Sequence, residues 1–224
     1  MQNSTKKGFT LLELLIVITI ISILSVILII ALNPAETLRK ARDVQRISDL
    51  ASLKNVIAIY ITENGGDNSF PALDGDQTND DNADCEGGGG TERVWLSADG
   101  NATPDTSIYA NTAVYTDGDN GDFAVDGTGW IPVDFEALTG GSPISGLPID
   151  PSNSNEVTLG TAVSDTTLVY TYVCSDANTT FEINAVLESA DFVNGGPNDK
   201  EGRDGGNNDN LYEVGTELDI VNSR

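Results

Sequence analysis

An uninterrupted run of apolar residues near the N-terminus constrains this chain more than any other feature. Residues 14–32 read LLIVITIISILSVILIIAL, in which 15 of 19 residues are Leu, Ile or Val and none is charged. As a helix this run would be about 28 Å long, close to the roughly 30 Å hydrocarbon core of a bilayer. We therefore expect a helix that spans a membrane.

The residues in front of the run separate three interpretations. A secretory signal peptide has a basic start, as Lys6 and Lys7 provide, but its apolar core covers only about 7 to 15 residues before a small-residue cleavage site. This run is longer, and no clear site of that kind lies within it. A plain membrane anchor fits the length but has no use for Glu13, because a carboxylate at the edge of a span is costly unless it is paired.

The third interpretation is a family resemblance. The string Lys6-Lys7-Gly8-Phe9-Thr10-Leu11-Leu12-Glu13, followed at once by the apolar run, closely resembles the leader and N-terminus of type IV pilins and type II secretion pseudopilins. The resemblance implies that a prepilin peptidase cuts between Gly8 and Phe9, that Phe9 is then N-methylated, and that Glu13 guides assembly. It also implies a pilin-like α+β fold, in which a long N-terminal helix packs on an antiparallel β-sheet.

The distribution of charge divides the chain into two parts. Of 11 basic residues, seven lie at or before position 54, together with only four of the 35 acidic ones. Positions 55–224 therefore carry 31 acidic and 4 basic residues. With the resemblance, this predicts a leader at 1–8, a transmembrane and assembly half of the helix at 9–33, an amphipathic half at 34–64, and an acidic, extracytoplasmic, β-rich body at 65–224.

The amphipathic half of the helix carries a recognisable apolar stripe. Pro34 predicts a kink where the two halves meet, because proline lacks a backbone donor and clashes with the preceding turn. Apolar residues then recur at steps of three or four, and Gly65-Gly66 ends the pattern. The stripe consists of Ile47, Leu50, Leu53, Ile57 and Tyr60, with Arg39, Lys40, Arg42, Asp43, Arg46 and Asp49 assigned to the other faces. The basic cluster at 39–46 is either a solvated face or a contact for acidic bodies of neighbouring subunits or lipid headgroups.

Strand signals in the body are clearest toward its end. Alternating residues at 168–174 and 180–187 predict two antiparallel strands, with residues 211–221 returning as a third. The order of these segments, after the turn Leu147-Pro148-Ile149-Asp150-Pro151, is similar to the C-terminal sheet of major pseudopilins. Short apolar islands at 93–98, 108–116, 122–125 and 130–135 predict further short strands and turns whose pairing the sequence does not give.

Two features of the body suggest a disulfide bond and a metal site. Cys85 and Cys174 are the only cysteines and permit one intrachain disulfide; two unpaired thiols are the alternative. The segment 198–210 resembles the calcium loop of major pseudopilins, so Asp199, Asp204 and Asp209 are calcium candidates, the alternative being a solvated acidic loop. Calcium is the one cofactor that the sequence suggests.

Composition excludes several functions. The chain has no histidine and therefore no Ser/His/Asp or Cys/His relay, and no combination of residues suggests an enzyme. A net charge of −24 repels phosphate backbones, so we expect no direct nucleic-acid binding.

We therefore predict a structural subunit of a type IV pilus-like filament, either a major pilin or a type II secretion pseudopilin. Its expected partners are other copies of itself, minor pilins, prepilin peptidase, a membrane assembly platform and the lipid bilayer. Before assembly it would cross the cytoplasmic membrane once, with its N-terminus inside, and after assembly it would lie in an extracytoplasmic or cell-surface filament. The alternative is a membrane-anchored adhesin or binding module that does not polymerise.

Overall fold

The computed structural model describes residues 8–64, 86–87, 91–97, 103–104, 113–115, 123–152, 162–164, 166–175 and 180–221. These residues form two helices, α1 (Leu11–Leu32) and α2 (Pro34–Asn64). The strands are β1 (Glu86–Gly87), β2 (Thr91–Leu96), β3 (Thr103–Pro104), β4 (Ala113–Tyr115), β5 (Ala162–Val163), β6 (Thr171–Ser175), β7 (Thr180–Ala185) and β8 (Tyr212–Gly215). The chain divides into two compact units, Met1–Arg39 and Lys40–Arg224.

The first unit is helical and apolar on all sides. No residue of α1 is buried, and its Leu, Ile and Val side chains are between about half and four fifths exposed. Its hydroxyl groups are satisfied within the helix, because Thr19, Ser22 and Ser25 each donate to a backbone carbonyl three or four residues earlier. A helix with this composition is long and apolar enough to cross a membrane and leaves no polar side chain in its span without a hydrogen bond.

The break between the two helices lies at Asn33. This residue has a left-handed backbone conformation, with φ 39° and ψ 70°, and α2 begins at the next residue, Pro34. Proline fits the first helical position because its fixed φ suits the helix and its missing N–H would have no helical partner there. The carbonyl of Asn33 accepts hydrogen bonds from the amides of Glu36 and Thr37 and so starts the second helix.

The core of the second unit is a four-stranded antiparallel sheet with α2 on one face. The antiparallel order is β2-β6-β7-β8, and β1 (antiparallel) and β4 (parallel) also pair with β2. A separate parallel pair joins β3 and β5. This arrangement confirms the predicted α+β class and the antiparallel pairing of β6, β7 and β8. The third of these strands is shorter than predicted, since only Tyr212–Gly215 of the segment 211–221 is paired.

The stripe on α2 packs directly on the sheet. Leu50, Leu53, Ile57 and Tyr60 are buried, whereas Ile47 is half-buried. The four buried residues share one apolar core with alternate residues of the strands: Tyr172 and Cys174 of β6, Phe181, Ile183 and Ala185 of β7, and Val214 of β8. Because side chains alternate across a strand, the intervening residues face the other side of the sheet, where a second core forms.

Residues 123–152 close one side of the main core without forming a strand. Their only β-type contact among described residues is the single bridge between Asp126 and Asp134. The island at 130–135 consists of bends and irregular backbone around the bridge residue Asp134, and its Trp130, Val133 and Phe135 are buried. The Trp130 indole donates to the Pro148 carbonyl over 3.1 Å, which holds the Leu-Pro-x-Asp-Pro turn against this segment.

Candidate functional sites: the N-terminal motif and the buried arginine network

The residues around the predicted cleavage point lie just outside the first helix. Gly8, Phe9 and Thr10 are exposed and non-helical, and Phe9 is 87 % exposed. A Cβ added at Gly8 would meet no atom within 4 Å. Both residues that flank the predicted cleavage point are therefore exposed in the described part of the chain.

Thr10 and Glu13 form a reciprocal capping box at the start of α1. The Thr10 hydroxyl accepts a hydrogen bond from the Glu13 amide over 3.2 Å, and Glu13 Oε2 accepts from the Thr10 amide and hydroxyl, each over 2.9 Å. Such a box satisfies two backbone donors that the first turn of a helix would otherwise leave open. Both bonds use one carboxylate oxygen, so Oε1 of Glu13 has no partner among the described residues.

In the second unit, the buried Arg46 is the centre of a charge network. Its guanidinium donates to Asp150 through Nε and Nη2 (2.6 and 3.0 Å), and through Nη1 to Asp43 and Glu188, each over 2.7 Å. The Arg46, Asp43 and Asp150 side chains are wholly buried, and that of Glu188 is 16 % exposed. Burial alone would lower the pKa of Arg46, but hydrogen bonds and charge from Asp150 raise it above its usual value, so it stays ionised.

A second group of contacts extends this network toward the surface. Arg42 makes two hydrogen bonds to Glu188, over 2.7 and 2.9 Å, and Lys40 pairs with Asp191 while lying 5.1 Å from the centre of the Phe192 ring. The Arg42 hydrogen bonds, joined by those of Arg46, hold the pKa of Glu188 at about 2. Both oxygens of Asp43 also accept backbone amides, from Glu188 and Ser189. The helix is thus fixed to the segment that follows β7.

This network corrects the prediction for the basic cluster at 39–46. Asp43 and Arg46 lie on the buried stripe rather than on the other faces of α2, and Lys40, Arg42 and Arg46 pair with carboxylates of the same chain. Only Arg39 keeps a purely local partner, Glu36, at 3.7 Å. Positions 43, 46, 50, 53, 57 and 60 follow one helical period. That spacing was the signal available in the sequence.

The cysteine and calcium predictions have different outcomes. Cys174 is fully buried and disulfide-bonded. Cys85 lies outside the described residues, so the Cys85–Cys174 pairing stays a prediction.

The loop carboxylates suggested for calcium are used to fix the loop itself. Both oxygens of Asp199 accept backbone amides, from Gly195 and Gly202, and both oxygens of Asp204 accept amides from Gly206 and Glu213. Asp209 is exposed. Within the described ranges, no three His, Cys, Asp or Glu side chains group closely enough to hold a metal ion. Calcium binding by Asp199, Asp204 and Asp209 therefore stays a prediction.

Comparison with known families supports the N-terminal assignment. Residues 3–29 match the family described as the prokaryotic N-terminal methylation motif. This match includes Gly8, Phe9 and Glu13 and fits a type IV pilin or pseudopilin with a membrane-anchored N-terminal helix. No match was found among curated proteins or among solved structures.

Proposed function

We propose that this chain is a structural subunit of a type IV pilus-like filament, made as a prepilin and cut between Gly8 and Phe9. The observation that carries the proposal is the methylation motif at residues 3–29, combined with a carboxylate five residues after the cut and an apolar helix directly behind it. The proposed role is structural rather than enzymatic. Prepilin peptidase, an assembly platform, minor pilins and further copies of the chain are its proposed partners.

The first helix supplies a physical mechanism for assembly. Cleavage creates an ammonium group on Phe9, while Glu13 Oε1 has no partner among the described residues. In a stack of axially offset helices, that oxygen can pair with the ammonium group of a neighbour, which also lies at the positive end of a helix dipole. Because desolvation cancels much of the gain from a buried ion pair, this contact specifies register, while the exposed apolar surface of α1 supplies most of the cohesion.

The second unit supports this role by holding α2 firmly in the body. The Arg46 network and the apolar core both join α2 to the sheet, so load on the helix is passed to the whole body. Both a major pilin and a type II secretion pseudopilin are compatible with this geometry. In either case the proposal places the N-terminus in the cytoplasm before assembly and the acidic body outside it.

Processing is the most direct test. The intact mass of the membrane form should correspond to loss of residues 1–8 with one added methyl group. Gly8→Val should block this change by hindering recognition by the peptidase, since a Cβ at Gly8 meets no atom of the described residues within 4 Å and should not disturb the fold. Ser4→Val, which enlarges another leader residue, is the matched control and should be processed.

Electron microscopy of cells with and without this subunit then tests filament formation. Surface filaments that depend on the chain support the proposal. A native protein that still begins at Met1 and stays monomeric in the membrane contradicts it and favours the anchored binding module instead.

A further inference from the structure

The face of the sheet opposite α2 carries a line of buried polar side chains. Thr171 on β6 lies opposite Asn184 on β7, which lies opposite Glu213 on β8, and Glu182 is two residues from Asn184 on the same face. Their exposed fractions are 3, 1, 1 and 0 %, respectively. The core on this side of the sheet is otherwise apolar and includes Val94, Leu96, Val173, Val186, Leu211 and Ile220. Four polar groups therefore interrupt an otherwise hydrophobic layer.

The C-terminal segment closes directly over the two acids. Glu182 Oε2 accepts the amides of Ile220 and Val221, over 2.9 and 3.2 Å, and Glu213 Oε2 accepts the amide of Asn208 over 3.0 Å. Gly206 lies so close that an added Cβ would be 1.8 Å from Glu213 Oε2. One oxygen of each carboxylate is thus fixed by backbone amides of residues 206–221.

The remaining polar atoms have no partner outside this group in the described part of the chain. Oε1 of Glu182, Oε1 of Glu213, the side-chain amide of Asn184 and the hydroxyl of Thr171 are shielded from solvent. The Glu182 side chain interacts with those of Glu213 and Asn184, so the two carboxylates face each other. No ion pair between described residues involves either glutamate. Buried polar groups are nearly always hydrogen-bonded, and a buried charge is far more costly to leave unpaired. Such a group of oxygen atoms indicates a ligand.

We propose that Thr171, Glu182, Asn184 and Glu213 bind one divalent cation of the oxygen-preferring class, with Ca²⁺ as its representative. Two carboxylates balance the charge of such an ion, and the Asn184 oxygen and Thr171 hydroxyl supply neutral ligands. The set contains no imidazole or thiolate, which zinc and softer metals prefer. The ion would join three strands beneath the C-terminal segment. It would use none of Asp199, Asp204 and Asp209 as a ligand, although Asp204 accepts the backbone amide of Glu213, and its binding does not depend on filament assembly.

A shared proton is the competing occupant. Burial, together with the charge of Glu182, raises the pKa of Glu213 to about 9, so without a metal ion the pair would retain one proton at neutral pH. If a proton occupies the site, the stability of the protein does not depend on the calcium concentration, whereas a cation site makes its stability depend on calcium. Calcium binding and calcium-dependent stability therefore separate the two.

The test uses the full-length protein in detergent micelles, stripped of metal with a chelator. Calorimetric titration with Ca²⁺ should show one site per chain, and saturating Ca²⁺ should raise the melting temperature followed by circular dichroism. Glu213→Gln keeps the size of the side chain and an acceptor for the Asn208 amide, and should abolish both effects. Asp209→Asn, which removes an exposed loop carboxylate, is the matched control and should keep both.

A second variant keeps the test decisive if Glu213→Gln does not fold. Thr171→Val removes one neutral ligand and neither charge, so it should fold and bind Ca²⁺ about tenfold more weakly, as expected for the loss of one hydrogen-bond-strength contact. The proposal is overturned if the wild-type protein takes up no Ca²⁺. It is also overturned if Asp199→Asn or Asp204→Asn abolishes Ca²⁺ uptake while Glu213→Gln leaves it intact. A third contrary result is that Ca²⁺ does not change the melting temperature of the wild-type protein, whereas Glu213→Gln raises it.

Discussion

Arg46 and Asp150, which lie 104 residues apart, form a two-bond ion pair with no exposure to solvent. The bonds join Nε to Oδ2 over 2.6 Å and Nη2 to Oδ1 over 3.0 Å. Asp150 is held in turn by the Leu-Pro-x-Asp-Pro turn, where its Oδ1 also accepts the amide of Ser152. A bidentate pair of this kind fixes the orientation of the two side chains as well as the distance between them, so it defines how α2 packs on the body.

Removing the cation from this network should be strongly destabilising. Arg46→Met keeps the length of the side chain but leaves Asp43, Asp150 and Glu188 without their common partner. Breaking a buried pair from one side costs about 3 to 5 kcal/mol, so urea denaturation followed by circular dichroism should show a loss of that size. Arg39→Met, which removes a half-exposed pair with Glu36, should cost less than about 1 kcal/mol. Equal, small losses in the free energy of unfolding of both variants would mean that Arg46 is not the main contact that holds α2 on the body.

The same network should make the protein sensitive to acid. The folded pKa of Glu188 is about 2, below the usual glutamate value of 4.5, because Arg42 and Arg46 bind its charged form. Its contribution to stability is therefore complete above pH 4.5 and is lost as the pH falls toward 2. The charged groups that face it are Arg42, Arg46 and Asp43.

Melting temperature measured across this pH range checks the expectation. Glu188→Gln should lower the melting temperature at pH 7 and flatten its fall between pH 4.5 and 2. Glu136→Gln, which removes an exposed carboxylate outside the network, should leave the acid dependence as in the wild type. If both variants show the wild-type slope, another group governs the acid response.

Features that depend on local sequence were predictable. The methylation motif, the apolar span and the stripe from Leu50 to Tyr60 follow from neighbouring residues and helical periodicity alone. The Arg46 network was not predictable, because a buried charge is stable only through partners such as Asp150 and Glu188, and the positions of those partners depend on the tertiary fold. Hydrophobic periodicity therefore stopped at Ile47, although the buried stripe continues to Asp43.

The sheet shows the same limit. Alternation at 168–174 and 180–187 correctly predicts β6 and β7, but it is typical of strands with one solvated face. Here Glu182 and Glu213 are buried, because residues 206–211 and 216–221, which flank β8 and form neither helix nor strand, cover them with backbone. A cover of this kind leaves no pattern in the sequence, which explains why the third strand was predicted to be longer than β8.

The buried hydroxyl of Tyr170 gives a further prediction about how α2 is held on the body. Tyr170 is fully buried and donates to Asp49 Oδ2 over 2.9 Å, and burial raises the pKa of Asp49. Tyr170→Phe removes a hydrogen bond to a charged group and should lower the free energy of unfolding by about 1.5 to 3 kcal/mol. Asp49→Asn provides the double-mutant cycle: the two losses should be less than additive if the pair interacts directly. Additive losses would place the effect of Tyr170 elsewhere, for example in its packing on Trp130.

Glu13 has two roles that substitution can separate. Gln at this position can still complete the capping box with Thr10, because the box accepts Glu or Gln, but it carries no charge for a neighbour's ammonium group. Glu13→Gln should therefore enter the membrane and be processed after Gly8, yet form no filaments or filaments of altered register by electron microscopy. Glu13→Ala should lose the cap as well and show the same assembly defect. Glu36→Gln, the matched change in the first turn of α2, should assemble normally. If Glu13→Gln forms normal filaments while Glu13→Ala does not, the cap rather than the charge is what assembly requires.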